Sequence, residues 1–140
     1  MTRWQEFVHY LYRESTLPPR DREITILRVA WLRQAEYAWS RHTIVGKRIG
    51  LTDHEIHLIT LKSPSNEWNP LEATLLQAID ELHNDSFISD MTWKELEKHY
   101  STHQLMDFIL FVGVYSMISM MINSLGVQLD DDATGFPPSV

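Results

Sequence analysis

Hydrophobic residues recur at spacings of three and four along most of the chain, and no alternating run is long enough to predict a strand. Capping residues, prolines and glycines divide this pattern into about seven segments of helical period. Their predicted bounds are about 2–14, 20–32, 35–49, 52–60, 69–83, 93–99 and 101–125. The pattern therefore predicts an all-α bundle.

Most of the predicted helix starts depend on one capping signature. In that signature a hydroxyl or amide side chain stands three positions before a Glu or Gln, so each side chain binds a free backbone N–H. The candidate pairs are Thr2–Gln5, Thr52–Glu55, Asn69–Glu72, Thr92–Glu95 and Ser101–Gln104. Gly50 and Gly126 follow the third and seventh segments, where a left-handed glycine commonly ends a helix.

The last residues differ from the rest of the chain. From Asp130 onwards there are three aspartates and the run Gly-Phe-Pro-Pro, without helical periodicity. We therefore expect one helical domain over residues 1–129 and a tail over 130–140 that is solvated or draped on a partner.

The seventh segment is unusually apolar. The stretch from Phe108 to Ile122 contains no charged residue, yet it is shorter than the roughly 20 residues that a bilayer requires. A helix that is apolar all round is otherwise buried in its own core or in an oligomer. We expect a homo-oligomer, and no membrane as a partner.

Composition narrows the possible functions. Twelve basic and nineteen acidic residues give a net charge of −7. The sequence has no basic stripe of the kind that binds nucleic acid, so we expect no nucleic-acid partner. The chain has no cysteine, which excludes disulfides, thiolate nucleophiles and cysteine-bound metal. The first residues lack the features of a signal peptide, so we expect a cytoplasmic protein.

Spacing alone indicates a candidate proton-transfer pair. Ala35, Ala38 and His42 share one face of the third predicted helix, and Glu23 lies in the first turn of the preceding helix. If these helices pack as a hairpin, the carboxylate can approach the imidazole, a combination suited to acid–base catalysis. Two plainer interpretations stay open, because His42 can be a hydrogen-bonded core residue and Glu23 a helix-start charge.

The runs from Arg22 to Ala30 and from Glu36 to His42 resemble the carboxymuconolactone decarboxylase family, whose superfamily includes the alkylhydroperoxidase D-type proteins. The peroxidase branch has a glutamate, eleven residues, Cys-x-x-Cys, three residues and a histidine. Here Glu23 and His42 match, but Ala35 and Ala38 replace the cysteines. Since alanine cannot supply the thiolate that reduces peroxide, the chain resembles the branch without thiol peroxidase activity.

This resemblance implies an all-α fold assembled as a homotrimer or homohexamer. It also implies loss of carbon dioxide from a lactone-like carboxylated substrate, without metal or organic cofactor. His42 would then deliver the proton and Glu23 would orient and tune it. The other residues that we expect at the substrate are Trp39 and Tyr37 as an apolar wall or polar handle, Arg28 or Arg41 as a carboxylate anchor, Ala35 and Ala38 beside the open space, and Tyr115 from the seventh helix.

Two alternatives stand beside this hypothesis. His54 and His57 share one helical face and could bind zinc, but a third ligand is missing, so we expect no metal site. The rival function is a non-catalytic oligomer that binds a small aromatic or lipid-like ligand or serves as a scaffold.

Overall fold

Seven α-helices and one π-helical turn make up the fold of residues 1–138, which a computed structural model describes. The helices are α1 (Arg3–His9), α2 (Pro19–Leu32), α3 (Glu36–Arg48), α4 (Asp53–Leu58), α5 (Pro70–Asp85), α6 (Asp90–Glu97) and α7 (Thr102–Leu125). The π-helical turn, Tyr10–Glu14, continues α1 directly. Since residues 1–138 contain no strand, the predicted all-α class is confirmed.

Local capping chemistry sets most of the helix starts. The predicted capping boxes form at Thr2, Thr52 and Ser101, and the Asn69 side chain accepts from the backbone of α5. The predicted start of α6 is wrong, because Ser89 rather than Thr92 is its cap.

The hydrogen bonds around α6 explain this difference. The Thr92 hydroxyl donates to Glu81 of α5 over 2.8 Å, so it serves the contact between two helices instead of a helix end. Ser89 donates to the same carboxylate over 2.9 Å, and its oxygen also accepts from the backbone N–H of Thr92.

The most deeply buried element is α2, which packs against α3, α5 and α7. Nine of its fourteen residues are buried, including the charged residues Asp21, Glu23 and Arg28. A helix surrounded on several sides cannot direct all its polar residues to water, so each buried charge must find a partner inside. This position brings Glu23 into the interior.

By length and composition α7 could cross a membrane. However, one of its faces is buried in the core and includes Leu105, Phe108, Phe111 and Tyr115. The opposite face exposes further apolar side chains, namely Met106, Ile109, Leu110, Met117, Met120 and Met121. In this fold α7 is a core helix with an apolar outer face.

Part of the tail packs on its own domain, in contrast to the expected arm that is solvated or draped on a partner. The ring of Phe136 packs against Trp31 and Trp39, with centroids 5.2 and 6.0 Å apart. The tail sequence is polar on average, but the Phe136 side chain packs into an apolar slot between α2 and α3. Ser139 and Val140 lie outside the described residues.

Candidate active site

Glu23 and His42 meet at the contact between α2 and α3. His42 Nδ1 lies 2.7 Å from Glu23 Oε2, the Glu23 side chain is fully buried, and that of His42 is 12% exposed. The structure thus brings together the two side chains that the spacing singled out. A thin solvent-facing edge of the imidazole remains.

The turn between the two helices makes this meeting possible. Gln34 adopts a left-handed conformation with φ of 52°, and Ala35 N then donates to Ala30 O over 2.9 Å. This pattern is a common helix ending, in which a left-handed residue lets the chain reverse while late carbonyls keep a donor. Because α3 starts immediately afterwards, it runs back along α2.

The other ring nitrogen of His42 faces two phenols. Its Nε2 lies 3.1 Å from the Tyr115 hydroxyl and 3.4 Å from that of Tyr12. The Glu23 carboxylate accepts at Nδ1, which assigns the proton of the neutral ring to that nitrogen and leaves Nε2 as an acceptor. Since one lone pair accepts one strong hydrogen bond, the nearer Tyr115 is the principal donor. Carboxylate, imidazole and phenol form a continuous proton path.

Tyr12 lies in the π-helical turn. The buried carboxylate of Asp107, a residue of α7, attaches this turn to α7. Asp107 accepts from the Tyr10 hydroxyl over 2.7 Å and from the backbone and hydroxyl of Thr16 over 2.8 Å each. Burial, and next the charge of Glu23, raise the pKa of Tyr12. Its phenol therefore stays protonated at neutral pH and can donate a hydrogen bond.

Arg22 is a further member of this cluster. Its Nε donates to Glu23 Oε1 over 3.1 Å, and its guanidinium lies over the Tyr12 ring, 5.6 Å from the centroid. Both oxygens of the buried Glu23 carboxylate therefore have a donor. This pairing matters because an uncompensated buried charge costs several kcal/mol.

The two arginines expected to anchor a carboxylate lie elsewhere. Arg28 is buried, binds Asp80 through Nε and Nη2, and donates through Nη1 to two backbone carbonyls just after α4. The Arg41 side chain is 58% exposed and pairs with Asp130. Neither guanidinium contacts Glu23 or His42, which corrects the expectation that one of them serves as the anchor there.

The predicted aromatic wall is also displaced. Trp39 packs against Trp31 and Phe136 and lines a cleft of about 450 Å³ between α3, α4 and the tail. Tyr37 lines a different cleft of about 430 Å³ beside the end of α7. The aromatic contacts of His42 are instead Tyr12 and Tyr115, of which only Tyr115 was predicted.

The alanine pair sits inside the protein. Ala35 is fully buried at the cap of α3, and Ala38 is 4% exposed. Neither methyl group can take part in acid–base or redox chemistry, so the two residues contribute shape only.

The histidines considered for zinc do not form a pair. His54 Nε2 contacts Glu67 over 2.6 Å, whereas His57 lines the cleft near Trp39. Within residues 1–138, no three histidine or acidic side chains converge as a metal-binding group.

Comparison with solved structures identifies relatives of this fold. A protein of unknown function from Agrobacterium tumefaciens, for which antioxidant defence as an AhpD has been suggested, has a TM-score of 0.81 and 16% identity over 91% of this chain and 88% of its own. An uncharacterized peroxidase-related protein from Silicibacter sp. has a TM-score of 0.81 and 11% identity, over 92% of this chain and 69% of its own. At these identities the likeness establishes the fold alone.

Sequence comparison goes further. No curated protein matches the chain. The sequence model of the Carboxymuconolactone decarboxylase family matches residues 1–81, more than half of the chain, a span that includes Glu23 and His42. This chain therefore belongs to the carboxymuconolactone decarboxylase family.

Proposed function

We propose that the protein is a cofactor-independent decarboxylase or related lyase that acts on a small cyclic or aromatic carboxylated substrate, such as a lactone acid. The observation that supports this proposal is the 2.7 Å contact between Glu23 and His42, with Nε2 directed at two phenol hydroxyls. A held imidazole with one nitrogen turned away from its carboxylate partner is suited to proton transfer.

The proposed reaction needs few groups. The bond to the departing carboxylate breaks, carbon dioxide leaves, and the electron pair moves into the conjugated lactone to give a dienolate. His42, protonated on both ring nitrogens when the anionic substrate is bound, then delivers the Nε2 proton to the dienolate carbon and returns to the Nδ1–H form. It regains the second proton from water, so one proton is consumed for each carbon dioxide released. The Tyr115 hydroxyl can stabilise charge on the dienolate oxygen.

Thiol peroxidase activity is not part of this proposal. The chain has no cysteine, and the two positions that would hold the redox pair are Ala35 and Ala38. Peroxide reduction of that type needs a thiolate to attack and a second thiol to resolve the product. The suggested roles of structurally similar proteins therefore do not transfer to this one.

The test is a panel of lactone acids and hydroxybenzoates, assayed in deuterated water for carbon dioxide release and for deuterium in the product. We expect His42→Ala to lower turnover of the best substrate by about 10²- to 10⁴-fold, the usual contribution of a general acid. His99→Ala is the matched control, because this histidine is exposed after α6 and is not one of the hydrogen-bonding partners of Glu23 or His42. Equal turnover in wild type and His42→Ala would remove His42 from the mechanism.

A second candidate function is a non-catalytic oligomer that binds a small ligand or serves as a scaffold. The exposed apolar face of α7 favours assembly in either case, since soluble monomers rarely expose large contiguous apolar patches. We propose a homotrimer or homohexamer. Because the inner face of α7 is used by the core, we also propose a soluble, cytoplasmic protein.

A further inference from the structure

Arg22 has hydrogen-bonding capacity that the Glu23 contact does not use. A guanidinium carries five N–H donors, and Arg22 donates from Nε to Glu23. Within residues 1–138, no protein acceptor lies within hydrogen-bonding distance of its terminal nitrogens. The side chain is 15% exposed, so these donors are partly withdrawn from water at the edge of the site. A planar, partly desolvated guanidinium is the group that best recognises a carboxylate.

Arg22 also lies at a suitable place for a small ligand. Its guanidinium lies over the Tyr12 ring, and the Tyr12 hydroxyl lies 3.4 Å from His42 Nε2. One aromatic ring therefore bridges Arg22 and His42. A substrate ring of similar size that lies alongside this phenol would span the same two groups.

Building on the proposed function, we infer that Arg22 anchors a carboxylate that the substrate keeps, and not the one that leaves. A guanidinium bound to the departing group would stabilise the ground state more than the transition state, in which that group loses its charge. A carboxylate retained elsewhere on the substrate is held equally in both states and positions the ring.

Charge accounting agrees with this assignment. Without substrate, the positive charge of Arg22 balances the negative charge of Glu23. The substrate adds two negative charges, one on the retained and one on the departing carboxylate; a proton on His42 balances one of them, and the other stays on the product. The anchored substrate and the proton that the reaction consumes thus favour one another in the site.

The first test uses benzoate and its neutral isostere benzamide as probes, titrated by calorimetry into the wild-type protein and single variants. We expect Arg22→Gln to weaken benzoate binding about tenfold or more, because charge-assisted hydrogen bonds are about twice as strong as neutral ones. Benzamide should bind weakly to all variants. Arg48→Gln is the control, since this arginine is exposed in the last turn of α3. A benzoate affinity within twofold of wild type in Arg22→Gln, or no binding by wild type at millimolar benzoate, would overturn the inference.

A second comparison separates anchoring from a structural role. In the Glu23→Gln background the carboxylate that Arg22 neutralises is absent, so removing Arg22 no longer leaves that charge buried without a partner. We expect the double variant Glu23→Gln/Arg22→Gln to bind benzoate about tenfold more weakly than Glu23→Gln alone. Identical benzoate affinities in these two proteins would show that Arg22 only supports Glu23.

The binding test of Arg22 and the turnover test of the proposed function can fail independently. If the wild-type protein turns over a substrate but Arg22→Gln does not change benzoate affinity, the inference about Arg22 fails and the proposed enzymatic function stands. If no panel compound turns over while benzoate affinity depends on Arg22, the anchor stands and the decarboxylase proposal fails. Loss of turnover in His42→Ala, together with a benzoate affinity of the wild-type protein that depends on Arg22, supports both.

Discussion

The carboxylate of Glu23 binds a different partner with each oxygen. Oε2 accepts from His42 and Oε1 accepts from Arg22, and the side chain has no exposed surface. A buried carboxylate held from two sides keeps a fixed direction, so it also fixes the plane and the tautomer of the imidazole. The catalytic direction of Nε2 in our proposal depends on this arrangement.

The two phenols near Nε2 allow a prediction at the level of single hydroxyl groups. We expect Tyr115→Phe to lower kcat about tenfold, or about 1.4 kcal/mol of transition-state stabilisation, because Tyr115 is the nearer donor. Tyr12→Phe should lower kcat by less, about threefold, because its contact is 0.3 Å longer. Steady-state kinetics on the best panel substrate measures both. A larger loss in Tyr12→Phe than in Tyr115→Phe would contradict the assignment of the principal donor.

The sequence predicted part of this cluster for a physical reason. Helical spacing places residues on a face of their own helix, so Glu23 and His42 could be matched once two consecutive helices were paired. Arg22 directly precedes Glu23, which was a signal, but the pattern does not tell which way its long side chain turns. Arg28 appeared equally suitable until the structure showed its bonds with Asp80.

At the level of elements, the π-helical turn is attached to α7 through one carboxylate. Asp107 binds Tyr10, the first residue of the turn, and Thr16, which follows the turn, so its contacts lie on either side of Tyr12 in the chain. The same helix carries Tyr115, so both phenols are positioned relative to α7. Loosening this attachment should displace Tyr12 before it affects Glu23 or His42.

We predict that Asp107→Asn lowers the free energy of unfolding by about 1–3 kcal/mol at pH 7, because an amide cannot accept from donors at both ends. Burial by itself raises the pKa of Asp107, but hydrogen bonds from Thr16 and Tyr10 outweigh it and lower the pKa below its usual value. Stability from a lowered carboxyl pKa is present above the unfolded-state value of about 4 and is lost as pH falls through the folded-state value.

Urea denaturation at pH 7 and at about pH 3 tests this prediction. The difference between wild type and Asp107→Asn should shrink at the lower pH, since the unfolded wild-type chain takes up a proton there before the folded carboxylate, with its lowered pKa, does. Asp85→Asn is the control, because Asp85 is exposed at the end of α5. A difference between wild type and Asp107→Asn that stays constant across this range would rule out the carboxylate as the source of the stability.

Helix ends were predictable where they depend on neighbours in sequence. The capping boxes at Thr2, Thr52 and Ser101 involve residues three positions apart, so the sequence contains the whole interaction. The start of α6 depends on Glu81, which lies eight residues before Ser89 and belongs to the preceding helix, α5. A local sequence pattern does not contain this contact. The π-helical turn has no comparable local signature. The spacing of hydrophobic residues over 2–14 predicted one ordinary α-helix there instead.

At the level of the whole molecule, the outer face of α7 combines with a net charge of −7. Charge repulsion keeps such proteins apart unless an apolar contact is specific, so we expect assembly through this face alone. Light scattering after gel filtration should give a mass three or six times that of the 16.4 kDa chain. Met120→Glu should dissociate the oligomer, because a buried unpaired charge in an interface is costly.

The control for this experiment is Met91→Glu. Met91 is 80% exposed on α6, whereas Met120 is 52% exposed on α7. A wild-type protein with the mass of one chain would contradict the prediction, as would equal dissociation by both variants. The sequence indicated this face through its uncharged stretch, whereas the docking of Phe136 in the tail depended on a slot that only packing creates.

The π-helical turn finally suggests how relatives of this protein could diversify. Such a turn holds one more residue than an α-helical turn of the same rise, so deleting one residue would let the segment rewind with the regular period. Each side chain after the deletion would then rotate by about 100° around the axis. A different residue would replace Tyr12 above the imidazole, and substrate choice could change through a single indel while the acid–base pair stayed untouched.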